Sequence, residues 1–279
     1  MVSSKVWFIT GSSSGFGRAM TETALRKGDI VVATLRNPAA LSDLAAKYPS
    51  DRLLLVHLDV TKADLVTAAF AQAKHAFGRV DVVFNNAGAV VFGEMEGTPE
   101  EAARGLFEVN FWGAANVSRE AIRFFREENN PSGGLLLQNT SMVCTSSFPL
   151  LGYYAATKHA LEGLSTSIAA EIEPEWNIKI TLIEPGAFQS NIADVAIRPE
   201  PHLAYASPTS RVSLFRSNIT ARELLGNTAK ATEVIYKLAG LSKPPLRFPL
   251  GKDSVSQAKQ LLAEFQTEVD QYGSWSDEL

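Results

Sequence analysis

Six short apolar runs, each separated from the next by a stretch of helical periodicity, leave this chain very few folds. The runs cover residues 6–10, 30–35, 53–58, 80–85, 135–140 and 178–184 and are rich in Val, Ile and Leu. Their apolarity is continuous rather than alternating, so the strands they predict are covered on both faces. Helical patterns near 15–27, 38–47, 62–77, 99–128 and 152–172 fill the gaps. This order predicts parallel strands with crossover helices, an α/β doubly wound sheet with helices on both faces. Beyond 184 the regularity breaks. Residues 186–225 hold Pro199, Pro201 and Pro208, and helical patterns return near 226–240 and 254–270. An irregular stretch of that length reads as a substrate-binding lid. No linker divides the 279 residues, so a single domain over 1–279 is expected.

Composition removes several function classes. A net charge of −4 gives no reason for nucleic acid or an anionic membrane as partner, and no apolar run could span a bilayer. Cys144 is the sole cysteine, which rules out an internal disulfide, and the four histidines are too scattered for a metal site. The N-terminus reaches a strand pattern by residue 5 without secretory features, so a cytoplasmic location is expected. The terminal Ser-Asp-Glu-Leu resembles a retrieval signal of the endoplasmic reticulum, but that signal acts only on chains that have entered the lumen.

The segment TGSSSGFG, from Thr10, admits two readings. As G-x-S-x-G it would be a strained elbow presenting Ser13 as a hydrolase nucleophile. As Gly11-x-x-x-Gly15-x-Gly17 it would be a turn laying backbone N–H groups against a dinucleotide diphosphate. The elbow normally follows several strands and is followed by an acid and then a histidine. Here the motif follows the first strand, and the last histidine, His202, lies in the irregular segment. The cradle is favoured. Gly11 and Gly15 permit the turn, Gly17 permits close helix packing, and Ser13, Ser14 and Phe16 line it.

Further positions extend the cradle. The second strand ends in VVATLRNP, with Thr34 about where an acid for a ribose hydroxyl would stand and Arg36 just beyond. A basic residue there suits a 2′-phosphate and points to NADP(H). Asp59 and Val60 follow the third strand. Thr61 with Asp64 reads as the cap of the next helix, which leaves Asp59 for an adenine amine. Asn86, Ala87 and Gly88 end the fourth strand, where the backbone can run close to a ribose. Pro185, Gly186, Phe188 and Ser190 follow the sixth, where the chain turns over the nicotinamide position.

The chemistry is carried by NTSMVCTSSFPLLGYYAATKHALEGL. Tyr154 and Lys158 are four apart in a helical run and share a face, whereas Tyr153 projects about 100° away. An ammonium nearby favours a phenolate and should pull the tyrosine below its ordinary value. Tyr154 can then exchange a proton with a substrate oxygen that Ser141 holds. Asn110, polar in an apolar helical stretch, is expected to bond a water linking Lys158 to solvent. Met142, Val143, Phe148, Leu150 and Phe188 predict an apolar pocket, while Arg198, Arg211, Arg216 and Arg222 offer anion contacts.

TGSSSGFG, NNAG, Asn110, Ser141, YAATK and PGAFQS follow one another as in the short-chain dehydrogenase/reductase family, which the chain resembles over roughly 5–190. The resemblance implies one Rossmann-type domain with a seven-stranded sheet and an Asn110-Ser141-Tyr154-Lys158 tetrad. It also implies a small carbonyl or alcohol substrate and homodimers or homotetramers formed through the two long helices. ATLRNP resembles the NADP-preferring carbonyl and steroid reductases of that family. Phe16 stands where a small aliphatic residue is usual and Ser190 where threonine is usual. The rival readings are the hydrolase and a cofactor-binding scaffold without turnover, against which Tyr154 and Lys158 in register argue.

Overall fold

The computed structural model describes residues 4–190, 192, 194–218 and 225–279. Its strands are β1 (Val6–Thr10), β2 (Ile30–Leu35), β3 (Leu53–His57), β4 (Val82–Asn85), β5 (Gly134–Asn139), β6 (Ile178–Pro185) and β7 (Arg247–Leu250). All pair in parallel, in the order β3-β2-β1-β4-β5-β6-β7. The helices are α1 (Gly15–Arg26), α2 (Ser42–Ala45), α3 (Ala63–Phe77), α4 (Glu100–Phe107), α5 (Ala114–Glu127), α6 (Gly152–Glu171), α7 (Arg211–Asn218), α8 (Thr228–Leu238) and α9 (Lys252–Tyr272).

Because successive strand side chains point to opposite faces, each apolar run feeds two cores. Trp7, Ile9, Val31 and Ala33 meet Met20 and Ala24 of α1 and Ile235 of α8. Val6, Phe8 and Val32 meet Phe70 of α3 and Phe124 of α5 on the other face. Phe8 stacks on Phe70 with ring centroids 4.1 Å apart. The doubly wound sheet read from the sequence is therefore the one observed.

The differences are local. β7 has no apolar run of its own, because RFPL is an edge strand and Pro249 needs no ladder donor there. The single helix expected over 38–47 is a 3₁₀ turn at Pro38–Leu41 followed by the one-turn α2, with Asn37 Oδ1 accepting from Ala39 N at 3.2 Å. The stretch expected as one helix near 99–128 is interrupted by a π-helical turn at Glu108–Gly113. Thr61 does not cap α3. Lys62 holds that position without a side-chain bond, and Thr61 instead donates its N–H and hydroxyl to Asp59 Oδ1, at 3.0 and 2.8 Å.

The strand order reverses between β1 and β4. A crevice therefore opens where the carboxyl ends of those strands diverge, as in other open α/β sheets. Asn85, Asn139 and Pro185 close β4, β5 and β6 on the same edge.

Candidate active site

One wall of the crevice is the turn after β1. Gly11 takes φ +67° and Gly15 φ +53°, left-handed values that glycine adopts without strain. Gly17 is needed for space, since a Cβ there would lie 2.2 Å from the Gly11 carbonyl oxygen. Buried Ser12 donates its hydroxyl to Ile9 O at 2.9 Å, while Ser13 and Ser14 are exposed. Ser14 precedes α1 in extended conformation and makes no capping hydrogen bond. The N-terminal N–H groups of α1 thus face the crevice without a side-chain acceptor from their cap, an arrangement suited to a diphosphate. Ser13 has no hydrogen-bonded histidine among the described residues, which removes support for the hydrolase reading.

Thr10, absent from the sequence-derived site, ties this wall to the next. Its Oγ1 accepts from Asn86 N at 2.8 Å and Ala87 N at 2.9 Å. Asn86 Nδ2 donates back to Thr10 O at 2.8 Å, and Asn139 Nδ2 donates to Asn86 Oδ1 at 2.8 Å. Ala87 and Gly88 therefore lie fixed beside Gly11.

At the far end Thr34 is not where an acid would act. It is buried and donates to Ile9 O at 3.0 Å, so it faces into the sheet. Arg36, the first residue past β2, is exposed. Burial works against the Asp59 carboxylate, but the Thr61 bonds and the nearby Arg36 and Lys62 charges outweigh it and hold its pKa below the ordinary range. Asp59 is therefore not wholly free for a ligand, since Oδ1 serves its own loop. Val60 is buried against Gly113, and its carbonyl accepts from Asn116 at 3.1 Å.

Beneath the mouth the four tetrad residues converge. The Ser141 hydroxyl accepts from Val143 N at 3.3 Å and lies near enough to Tyr154 to favour its phenolate. Lys158 is buried, donates to Asn139 O at 2.8 Å, and places Nζ 5.7 Å from the Tyr154 ring centroid. A Cβ on Gly88 would be 3.2 Å from Asn110 Oδ1 and 3.7 Å from Lys158 Nζ, so the turn after β4 passes between them.

A family model described as short chain dehydrogenase matches residues 5–200. The chain belongs to the short-chain dehydrogenase family. An uncharacterized oxidoreductase of Schizosaccharomyces pombe is 38% identical over 248 residues, covering 88% of this chain and 82% of that protein. The crystal structure of a short-chain dehydrogenase from Streptomyces avermitilis superposes with a TM-score of 0.88 at 37% identity, covering 99% of this chain and 98% of that one. A 3-ketoacyl-(acyl-carrier-protein) reductase from Brucella melitensis, solved with NADH, gives 0.70 at 26% identity over 85% of this chain and 90% of its own. The protein is thus an oxidoreductase of that family.

In this short-chain dehydrogenase the Asn110 amide is consumed by protein. Oδ1 accepts from Ala89 N at 2.8 Å, while Nδ2 donates to Ala89 O at 2.9 Å and Thr157 Oγ1 at 3.1 Å. With both of its donors used, the amide cannot donate to the expected water. Its grip on Ala89 coincides with the π-helical turn at Glu108–Gly113.

The expected lowering of the tyrosine pKa is also corrected. Burial pushes Tyr154 up to about 12, with the nearby Ser141 hydroxyl only partly offsetting it. Burial pulls Lys158 down to about 8, against smaller support from Cys144 and Glu162. Both groups are thus driven toward their neutral forms. Behind Lys158 lies a pair of buried acids, Glu162 one helical turn further along α6 and Glu184 on β6. They share Arg247 of β7, whose Nη1 donates to Glu162 Oε2 and to Glu184 Oε1.

Within the stretch expected as a lid, residues 197–218 pack on the loop after β4. Ile197 bridges Val91, Arg216 Nη2 pairs with buried Glu94 at 2.5 Å, and Phe215 of α7 meets Phe148 with centroids 6.0 Å apart. Two of the arginines read as anion contacts are otherwise engaged, Arg216 by Glu94 and Arg198 over the Phe92 ring. Arg222 lies outside the described residues. Leu150 and Val143 are buried, and Leu150 holds φ +66° two residues before α6, with its carbonyl accepting from Gly93 N at 3.0 Å. Phe188 packs its ring on Phe16 and closely against Gly226, so it closes the cradle from outside. Pro185 is buried at the end of β6, Gly186 N donates to Leu250 O at 2.8 Å, and Ser190 Cβ lies 3.4 Å from the Cβ position of Gly15.

Proposed function

We propose that the protein is an NADP(H)-dependent oxidoreductase interconverting a small carbonyl compound and an alcohol. The observation that carries this reading is the meeting of three groups, the Ser141 and Tyr154 hydroxyls and the Lys158 ammonium, at the carboxyl edge of the sheet. The cradle fits a dinucleotide: Gly17 admits close backbone approach and the α1 N-terminus favours a diphosphate, while the exposed Arg36 just past β2 supports a 2′-phosphate as partner. When bound, the nicotinamide supplies the hydride.

Ser141 holds the substrate oxygen, and Tyr154, neutral at physiological pH, donates the proton that oxygen needs. Lys158, protonated below about pH 8, stabilises the phenolate left behind and holds the ribose. Asn110 positions Ala89 and Thr157 on either side of this centre. Ser13, Ser14, Gly15 and Phe16 border the diphosphate, Asn86 to Gly88 the ribose, and Pro185 to Ser190 the nicotinamide. Residues 186–225 act as the substrate lid within one catalytic domain, and the chain works as a homo-oligomer.

NADPH oxidation is to be followed across aldehydes, ketones, quinones and steroids. Tyr154→Phe should lower turnover about 10²–10⁴-fold with cofactor affinity and fold retained. Unchanged turnover in that variant refutes the assignment, and tight NADPH binding without turnover on any carbonyl favours a scaffold.

A further inference from the structure

Helix α9 is out of keeping with the rest of the surface. Its first turn is fastened to the sheet: Ser254 donates to Glu184 O at 2.7 Å, and Asp253 Oδ2 accepts from Ala187 N at 2.7 Å. Ser254 is also its only buried residue. Beyond it Val255, Ala258, Leu262, Phe265, Val269 and Tyr272 recur at alternating intervals of three and four. That is the spacing of a seam between paired helices, about 26 Å long at 1.5 Å per residue. Leu262 is 69% exposed and Phe265 62%. A helix standing in water gains little from propensity alone, and most helical stability comes from packing an apolar face. The seam is built to be covered.

Charge identifies what covers it. The first half of α9 holds Lys252 and Lys259 with one acid, Asp253, which is engaged by Ala187 N, and the second holds Glu264, Glu268 and Asp270 with no base. Laid antiparallel on itself, the helix sets each basic half against an acidic half. A parallel pair would set the three acids against their own copies. The acidic half equally disfavours an anionic membrane surface.

We propose that α9 pairs antiparallel with α9 of a second copy of this chain, forming an isologous interface on a surface other than α5 and α6. The inference rests on the shape and charge of α9 and is independent of the catalytic reading. Placing Leu262→Glu and Phe265→Glu together on the exposed face leaves the sheet untouched. The double variant should keep its circular dichroism while its mass by light scattering falls to half that of the native assembly.

Orientation is read from disulfide capture. Val255→Cys chains mixed with Tyr272→Cys chains should cross-link under mild oxidation, whereas Val255→Cys alone should not. A monomeric native chain, a mass unaltered by the two glutamates, or cross-linking of Val255→Cys to itself would each overturn the proposal. So would a monomer that sediments with phosphatidylserine vesicles, since a lipid surface would then be the occupant.

Discussion

Burying the Lys158 ammonium should leave a pH signature on stability that can be worked out in advance. Its pKa falls from 10.5 in the unfolded chain to about 8 in the folded protein, with burial the largest cause. A lysine depressed in this way binds its proton less tightly when folded. Stability must therefore rise with pH wherever the unfolded chain still holds the proton and the folded one has lost it, from about pH 8 to beyond 10. At about 1.36 kcal/mol per unit, the full penalty below pH 8 is about 3 kcal/mol, of which about 2.5 kcal/mol is relieved between pH 7 and pH 10.

Lys158→Met lacks the titrating group but shares every other lysine and tyrosine with the native chain. The difference between the two unfolding free energies, from urea denaturation of the cofactor-free proteins, isolates this one residue. It should shift by about 2.5 kcal/mol in favour of the native chain between pH 7 and pH 10. Glu162→Gln removes a charge that supports the ammonium, so its own rise should begin at lower pH. Parallel stability profiles for the native chain and Lys158→Met would refute the reasoning, because an ammonium with an unshifted pKa makes no linkage contribution.

The other predictions follow from geometry. Arg36→Asp should weaken NADPH relative to NADH by about 1–3 kcal/mol, read from competition binding, and equal weakening of both would remove the 2′-phosphate contact. Gly17→Ala puts a Cβ against the Gly11 carbonyl and should abolish cofactor fluorescence enhancement or lower Tm by several degrees. Arg216→Ala leaves the buried Glu94 carboxylate, whose pKa Arg216 helps hold below the ordinary range against burial, without its cation. It should undock the segment 197–218 and speed its amide exchange. With the pair intact, docking persists above the unfolded pKa of Glu94 and fades as pH falls through the lower folded value.

What the sequence shows of this site, and what it hides, follows from where each residue makes its contacts. The strands were legible because residues covered on both faces must be apolar throughout. The glycine turn was legible because φ values such as +67° at Gly11 leave few substitutes. Tyr154 and Lys158 were legible because helical spacing alone puts them together. By contrast, Thr10 meets the backbone of Asn86 and Asn139 meets its side-chain amide across separations of 76 and 53 residues, a pairing no local pattern encodes. β7 was hidden because an edge strand can hold a proline and an arginine, and the π-helical turn because Glu108–Gly113 differs in no obvious way from an ordinary helical stretch.

The tyrosine shows a deeper reason. From spacing alone, an ammonium near a phenol should lower its pKa, and that is sound for two groups in one solvent. In the fold, the packing that brings them together also takes water from both, and removing water acts on each charge singly. Burial therefore drives Tyr154 and Lys158 toward neutrality together. A charge placed in the cradle can restore the balance, since an anionic diphosphate and ribose beside Lys158 would favour the ammonium again. Cofactor binding should accordingly raise the Lys158 pKa above about 8, and the stability gain between pH 7 and pH 10 should shrink when NADPH saturates the protein.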